Sequence, residues 1–253
     1  MIENERMVCV KQRVLEILYR PALFFFLLPF FYLALGSIFA LDFNAFNVFP
    51  FIVLYVFVLI NQMIENTLLR IPSNNFEISK SFILGLEVLN VGLILYFGFQ
   101  YSWLAALVLL FYTLIIQIQF VFNYYDLDGV AVFVVTLLKL VLLNGFAFYV
   151  QANFIHSRYI PVYFGLFIPF YLFEISRTDR ALKNVWLLGI IALGYSFGIF
   201  FLWRYLEWQS LFLLLSLPFV GLFRLEFSRK TSAIFAYVFV LMYIGLSMFI
   251  VVS

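Results

Sequence analysis

The chain has 253 residues, of which 66% are hydrophobic and 11% charged, with a mean hydropathy of +1.09 and a formal charge of +2. That composition excludes an ordinary soluble domain, in which about a quarter of the residues are charged. The small net charge gives no electrostatic footprint for nucleic acid, and with Cys9 the only cysteine there is no intrachain disulfide and no cysteine-based metal site.

The chain therefore reads as an all-α, polytopic membrane protein. Residues 1–20, MIENERMVCVKQRVLEILYR, are charged and lack a short apolar core followed by small residues, so they are expected to stay as a cytoplasmic N-terminal segment. A bilayer is crossed by about 20 apolar helical residues. Cutting the chain at its polar clusters predicts nine spans, over 21–40, 48–64, 81–98, 103–122, 130–150, 159–175, 185–203, 209–223 and 232–252, all within one transmembrane domain, 21–253. The eighth is short and contains Pro218.

The basic residues sort by side. Arg6, Lys11, Arg13, Arg20, Arg70, Lys80, Arg177, Arg180, Lys183, Arg224, Arg229 and Lys230 fall on one side, against Arg158 and Arg204 on the other, with Lys139 inside a span. This sorting predicts the N-terminus in the cytoplasm and the C-terminus outside, and the membrane is expected to be a bacterial cell membrane. The two largest polar interruptions, residues 61–80 and 174–184, share the cytoplasmic side after spans two and six. Their placement suggests two related four-helix halves, about 21–123 and 130–223, followed by the ninth helix, 232–252.

Within the first interruption, Asn61 and Glu65 are four apart and share a helix face. Within the second, Glu174 ends span six, followed by Arg177, Thr178 and Asp179. Oxygen ligands facing each other from two helix ends could hold Mg²⁺ over a diphosphate, and Arg70, Lys80, Arg177, Arg180 and Lys183 could neutralise that group. The plainer reading of the basic residues is that they solvate helix ends.

These stretches resemble the UbiA-type intramembrane prenyltransferases, which have nine helices, a cytoplasmic N-terminus and acidic motifs after helices two and six. Asn61-Gln-Met-Ile-Glu65-Asn-Thr-Leu-Leu69 stands where the family has N-x-x-x-D-x-x-x-D, Glu174-Ile-Ser-Arg-Thr178-Asp179 where it has D-x-x-x-D, and Arg20-Pro21 resembles its usual start. Leu69 and Thr178 replace two of the family's acids, and the usually basic loop after span four reads NYYDLDG here. The resemblance implies Mg²⁺ on Glu65, Glu174 and Asp179, with Asn61 assisting. The substrates it implies are a prenyl diphosphate and a lipophilic, commonly aromatic, acceptor. Two other classes stay open: a noncatalytic subunit of the same fold that binds a prenyl lipid or quinone, and a small transporter.

Glu87 and Lys139 lie inside spans three and five, each about 10 to 14 Å from the cytoplasmic face, and are expected to form a buried ion pair, with Asn90 and Asn144 about one turn beyond. Gly194 and Gly198 have the spacing that lets helices approach closely. His156, in a short external loop, has no sequence neighbours that would make a triad or a metal set.

Overall fold

The computed structural model describes residues 21–70, 80–124 and 128–165, and beyond these 167, 171, 189, 192–200, 203 and 207–216. Among the described residues every regular element is helical. The helices are α1 (Pro21–Ala40), α2 (Val48–Arg70), α3 (Lys80–Gln100), α4 (Trp103–Tyr124) and α5 (Asp128–Leu137). A π-helical turn (Leu138–Leu142) leads into α6 (Leu143–Ala152), and a 3₁₀ turn (Ser157–Tyr159) into α7 (Ile160–Gly165). Among the described residues three segments are long and apolar enough to cross a membrane, Val48–Leu68, Ser81–Gln100 and Ala131–Ala152.

The helix ends follow local chemistry. Pro50 sits in the first turn of α2, where its missing N–H breaks no intrahelical bond. Ser102 caps α4, its Oγ accepting the Ala105 N–H at 3.1 Å. Asn153 ends α6 in the left-handed region (φ 63°), and its N–H closes on the Tyr149 carbonyl at 2.7 Å. The second predicted span ends too early at 64: α2 continues to Arg70, so Asn61 and Glu65 lie inside the helix and not at its rim. Polar side chains there mark an inward face, which a hydropathy cut takes for an end.

The chain divides into two compact units, one of residues 32–167 and one of residues 1–31 with 168–253. In the first, α2 packs against α3, α4 and α6, α3 against α4, α4 against α5, and α7 against the π turn. Ile60, Ile64 and Leu86 form one buried cluster there, flanked by Met63, Leu68 and Leu93. The outward faces of α3 and α4 carry Leu84, Val88, Leu95, Phe99, Leu104, Leu107 and Phe111, whereas Asn61, Glu65, Asn90, Thr113, Lys139 and Asn144 are buried. In this unit, apolar side chains cover the outward faces of α3 and α4, and polar ones are enclosed among buried apolar neighbours.

At one end of the unit the loop between α1 and α2 is tied to the end of α6. The Gln151 amide accepts the Asn47 N–H at 2.8 Å and donates to the Asn47 carbonyl at 2.9 Å, satisfying both backbone groups as a strand partner would. Phe39, Phe43, Phe148, Phe154 and Tyr159 pack as an aromatic cluster at the same end, with the exposed His156 stacked 5.8 Å from Phe43.

In the second unit, residues 192–200 are helical with Gly194 and Gly198 both buried. The start of the eighth predicted span is a 3₁₀ helix, Glu207–Ser216, instead of an α-helix.

Candidate functional site

The polar centre of the 32–167 unit starts from α2. Asn61, Gln62 and Glu65 fall on one face of that helix, and all three are buried. Asn61 Nδ2 donates to the Phe57 carbonyl in its own helix and to Asn90 Oδ1 on α3, both at 2.9 Å. Asn90 Nδ2 passes the chain on to Thr113 Oγ1 on α4 at 3.2 Å. Three helices are thereby registered by two amides and a hydroxyl, at the depth where a misplaced amide would have no water to fall back on.

Glu65 receives the ammonium of Lys139. Nζ lies 2.8 Å from both carboxylate oxygens, and the two side chains are 3% and 1% exposed. The ring of Tyr32 stands 5.7 Å from the same Nζ, within reach of a cation–π contact. The expected pairing of Lys139 with Glu87 is therefore corrected: Glu87 instead accepts a 2.7 Å hydrogen bond from Gln117 Nε2 on α4. Depth along the bilayer allowed either acid as the partner. Helix rotation decided between them, turning Glu65 inward toward the π turn and Glu87 toward α4.

The π turn is what brings Lys139 there. At its end the Leu143 N–H reaches back to the carbonyls of Leu138 and Leu140, and Asn144 Nδ2 adds a second donor to the Leu140 carbonyl at 2.8 Å. Asn144 Oδ1 in turn accepts the Gly36 N–H of α1 at 3.0 Å. This contact demands glycine: a Cβ at position 36 would collide with the Asn144 backbone carbonyl. Asn61 Oδ1, Gln62 Oε1 and Thr136 Oγ1 are buried near the pair and find no hydrogen-bond partner among the described residues.

Of the remaining site residues anticipated from sequence, Arg70 is the last residue of α2 and Lys80 the first of α3, so both sit at the helix ends nearest Glu65. Glu174, Arg177, Asp179, Arg180 and Lys183 lie outside the described residues. Thr113, Gln117, Gln62 and Thr136 were not anticipated, because single amides and hydroxyls inside an apolar span carry no motif.

Of the three residues the resemblance implies as metal ligands, Glu65 alone is among the described residues, and its carboxylate is already paired. Both oxygens of the carboxylate already face an ammonium at hydrogen-bonding distance, and a divalent ion bound to them would lie beside that positive charge. Among the described residues no three His, Cys, Asp or Glu side chains come together. Comparison with protein-family models, with curated proteins and with solved structures finds no match to this chain.

Proposed function

We propose that this chain is a nine-span, UbiA-like protein of a bacterial inner membrane, with its N-terminus in the cytoplasm, that binds a prenyl diphosphate and moves the prenyl chain to a lipophilic acceptor. The reading rests on one observation: Asn61 and Glu65, the residues that align with the first motif, are turned together into the bundle interior, away from lipid and solvent. Apolar outward faces on α3 and α4 support the membrane setting.

In this reading the prenyl tail lies among apolar side chains and the diphosphate lies toward Arg70 and Lys80. The allylic C–O bond breaks with its electron pair leaving on the diphosphate. A nucleophilic carbon of the acceptor then supplies the pair for the new C–C bond and releases its proton to solvent. The test is an assay of the purified full-length protein with labelled prenyl diphosphates and aromatic acceptors, compared with Glu65→Gln. Turnover lost in a variant that thermal unfolding verifies as folded supports the reading, and no turnover and no diphosphate binding by the wild-type protein refutes it.

The noncatalytic alternative, a membrane subunit holding a prenyl lipid or quinone, draws on a separate observation. Glu65 is neutralised by Lys139, as a carboxylate retained for structure would be. Binding of labelled lipid without turnover would select it. Transport is less well supported, because between Asn144 and Gln151 the buried side chains of α6 are apolar, Phe146, Ala147, Phe148 and Val150.

A further inference from the structure

The cation that the resemblance assigns to Glu65 is a metal, whereas the cation found there is Lys139. Separate features make this a built arrangement and not a chance contact. The ammonium meets both carboxylate oxygens at 2.8 Å, the Tyr32 ring covers it at 5.7 Å, and the π turn that carries it is braced by Asn144 against α1. Next to the pair lie unspent hydrogen-bonding groups. Asn61 and Gln62 are one turn from Glu65, and Thr136 is one turn from Lys139, each with a buried oxygen that has no partner among the described residues.

We propose that Lys139 takes the place of a metal at Glu65, as the fixed cation of the centre, so that a diphosphate is bound there without a divalent ion. This rests on the prenyl diphosphate reading above. A carboxylate-held metal and a carboxylate-held ammonium are alike in one respect: each presents positive charge whose own counter-ion is already in place. On binding, a diphosphate oxygen replaces one Glu65 oxygen at Nζ, and the other Glu65 oxygen keeps the ammonium in position. The amide of Gln62 and the hydroxyl of Thr136 can turn to donate hydrogen bonds to the incoming anion, whereas both amide hydrogens of Asn61 stay with the Phe57 carbonyl and Asn90.

The experiment measures binding of radiolabelled farnesyl diphosphate to the full-length protein in detergent, in Mg²⁺ and in EDTA, for wild type, for Lys139→Arg and for the neutral double variant Lys139→Met/Glu65→Gln. The wild-type comparison needs no variant, and thermal unfolding verifies that the double variant is folded. Affinity in EDTA within about threefold of that in Mg²⁺, kept by Lys139→Arg and weakened about tenfold or more in the double variant, is the expected result. Wild-type binding that requires Mg²⁺, or binding that survives the double variant, overturns the metal-free assignment and leaves the prenyl diphosphate reading standing. Absence of binding by the wild type in both buffers removes that reading itself.

Discussion

The pairing of Lys139 with Glu65 makes a quantitative prediction about stability. Both partners are almost fully buried, and the contact is bidentate at 2.8 Å. Removing one member of such a pair strands the other charge and costs roughly 3 to 5 kcal/mol, whereas replacing both with neutral groups of similar volume is close to neutral. Lys139→Met alone is thus expected to lower stability by about 3 kcal/mol or more, and Lys139→Met/Glu65→Gln to recover most of that loss, a coupling of about 2 kcal/mol or more. Glu87→Gln should cost about 0.5 kcal/mol, because a glutamine there still offers a carbonyl oxygen to Gln117 Nε2, and it should not rescue Lys139→Met. The assay is reversible unfolding in mixed micelles, run as two double-mutant cycles. Additive effects in the Lys139 and Glu65 cycle, or rescue of Lys139→Met by Glu87→Gln, would refute the geometry and the reasoning from it.

Gly36→Ala should destabilise the bundle by about 1 to 3 kcal/mol, since the obstacle to its Cβ is the Asn144 backbone. Gly92→Ala, with open space around its Cβ, should gain about 0.5 to 1 kcal/mol, and unfolding midpoints of the two variants side by side check the contrast. Asn144→Leu removes the side-chain hydrogen bonds to the Leu140 carbonyl and from the Gly36 N–H and should cost about 1 to 2 kcal/mol in the same assay. In the turn after α3, burial pushes the Tyr101 phenol from its ordinary 10 up to about 12, helped by Tyr96 and Tyr149. A raised folded value means the stabilisation is complete below pH 10 and is lost as the pH climbs toward 12, so melting temperature should fall over that window and fall less in Tyr101→Phe.

Hydropathy alone located five helices well. The predicted spans 21–40, 48–64, 81–98, 103–122 and 130–150 fall on α1, α2, α3, α4 and the run from α5 through α6. Apolar length is a property of the segment itself, so neighbours hardly alter it. The pairing of Lys139 was not legible for the opposite reason. Counting residues inward from the helix ends gives depth but not rotation, and at similar depth Glu65 and Glu87 are equivalent candidates until the helices are packed. Glu65 was further disguised by the early end assigned to its helix. Asn144 was visible as a polar residue inside a span, but its partner is the backbone N–H of Gly36, which has no sequence signature at all.

The π turn explains why counting fails at this point. Lys139 and Asn144 are five residues apart, which in an α-helix separates them by about 140° around the axis, too far for both to face one interior. A winding with i→i+5 bonds turns about 80° per residue, and five residues then bring them to within about 40° of each other. The inserted residue thus converts two polar positions of no common periodicity into one inward face. Lys139 reaches α2 through Glu65, and Asn144 reaches α1 through Gly36. Asn144 Nδ2 also donates to the Leu140 carbonyl inside the turn, beside the Leu143 N–H, so the residue that benefits from the altered register also stabilises it. A regular helix through Leu138–Leu142 would lose both contacts together. The ion pair, the Gly36 crossing and the π turn therefore form one cooperative unit, and a change at any of the three should be felt at the other two.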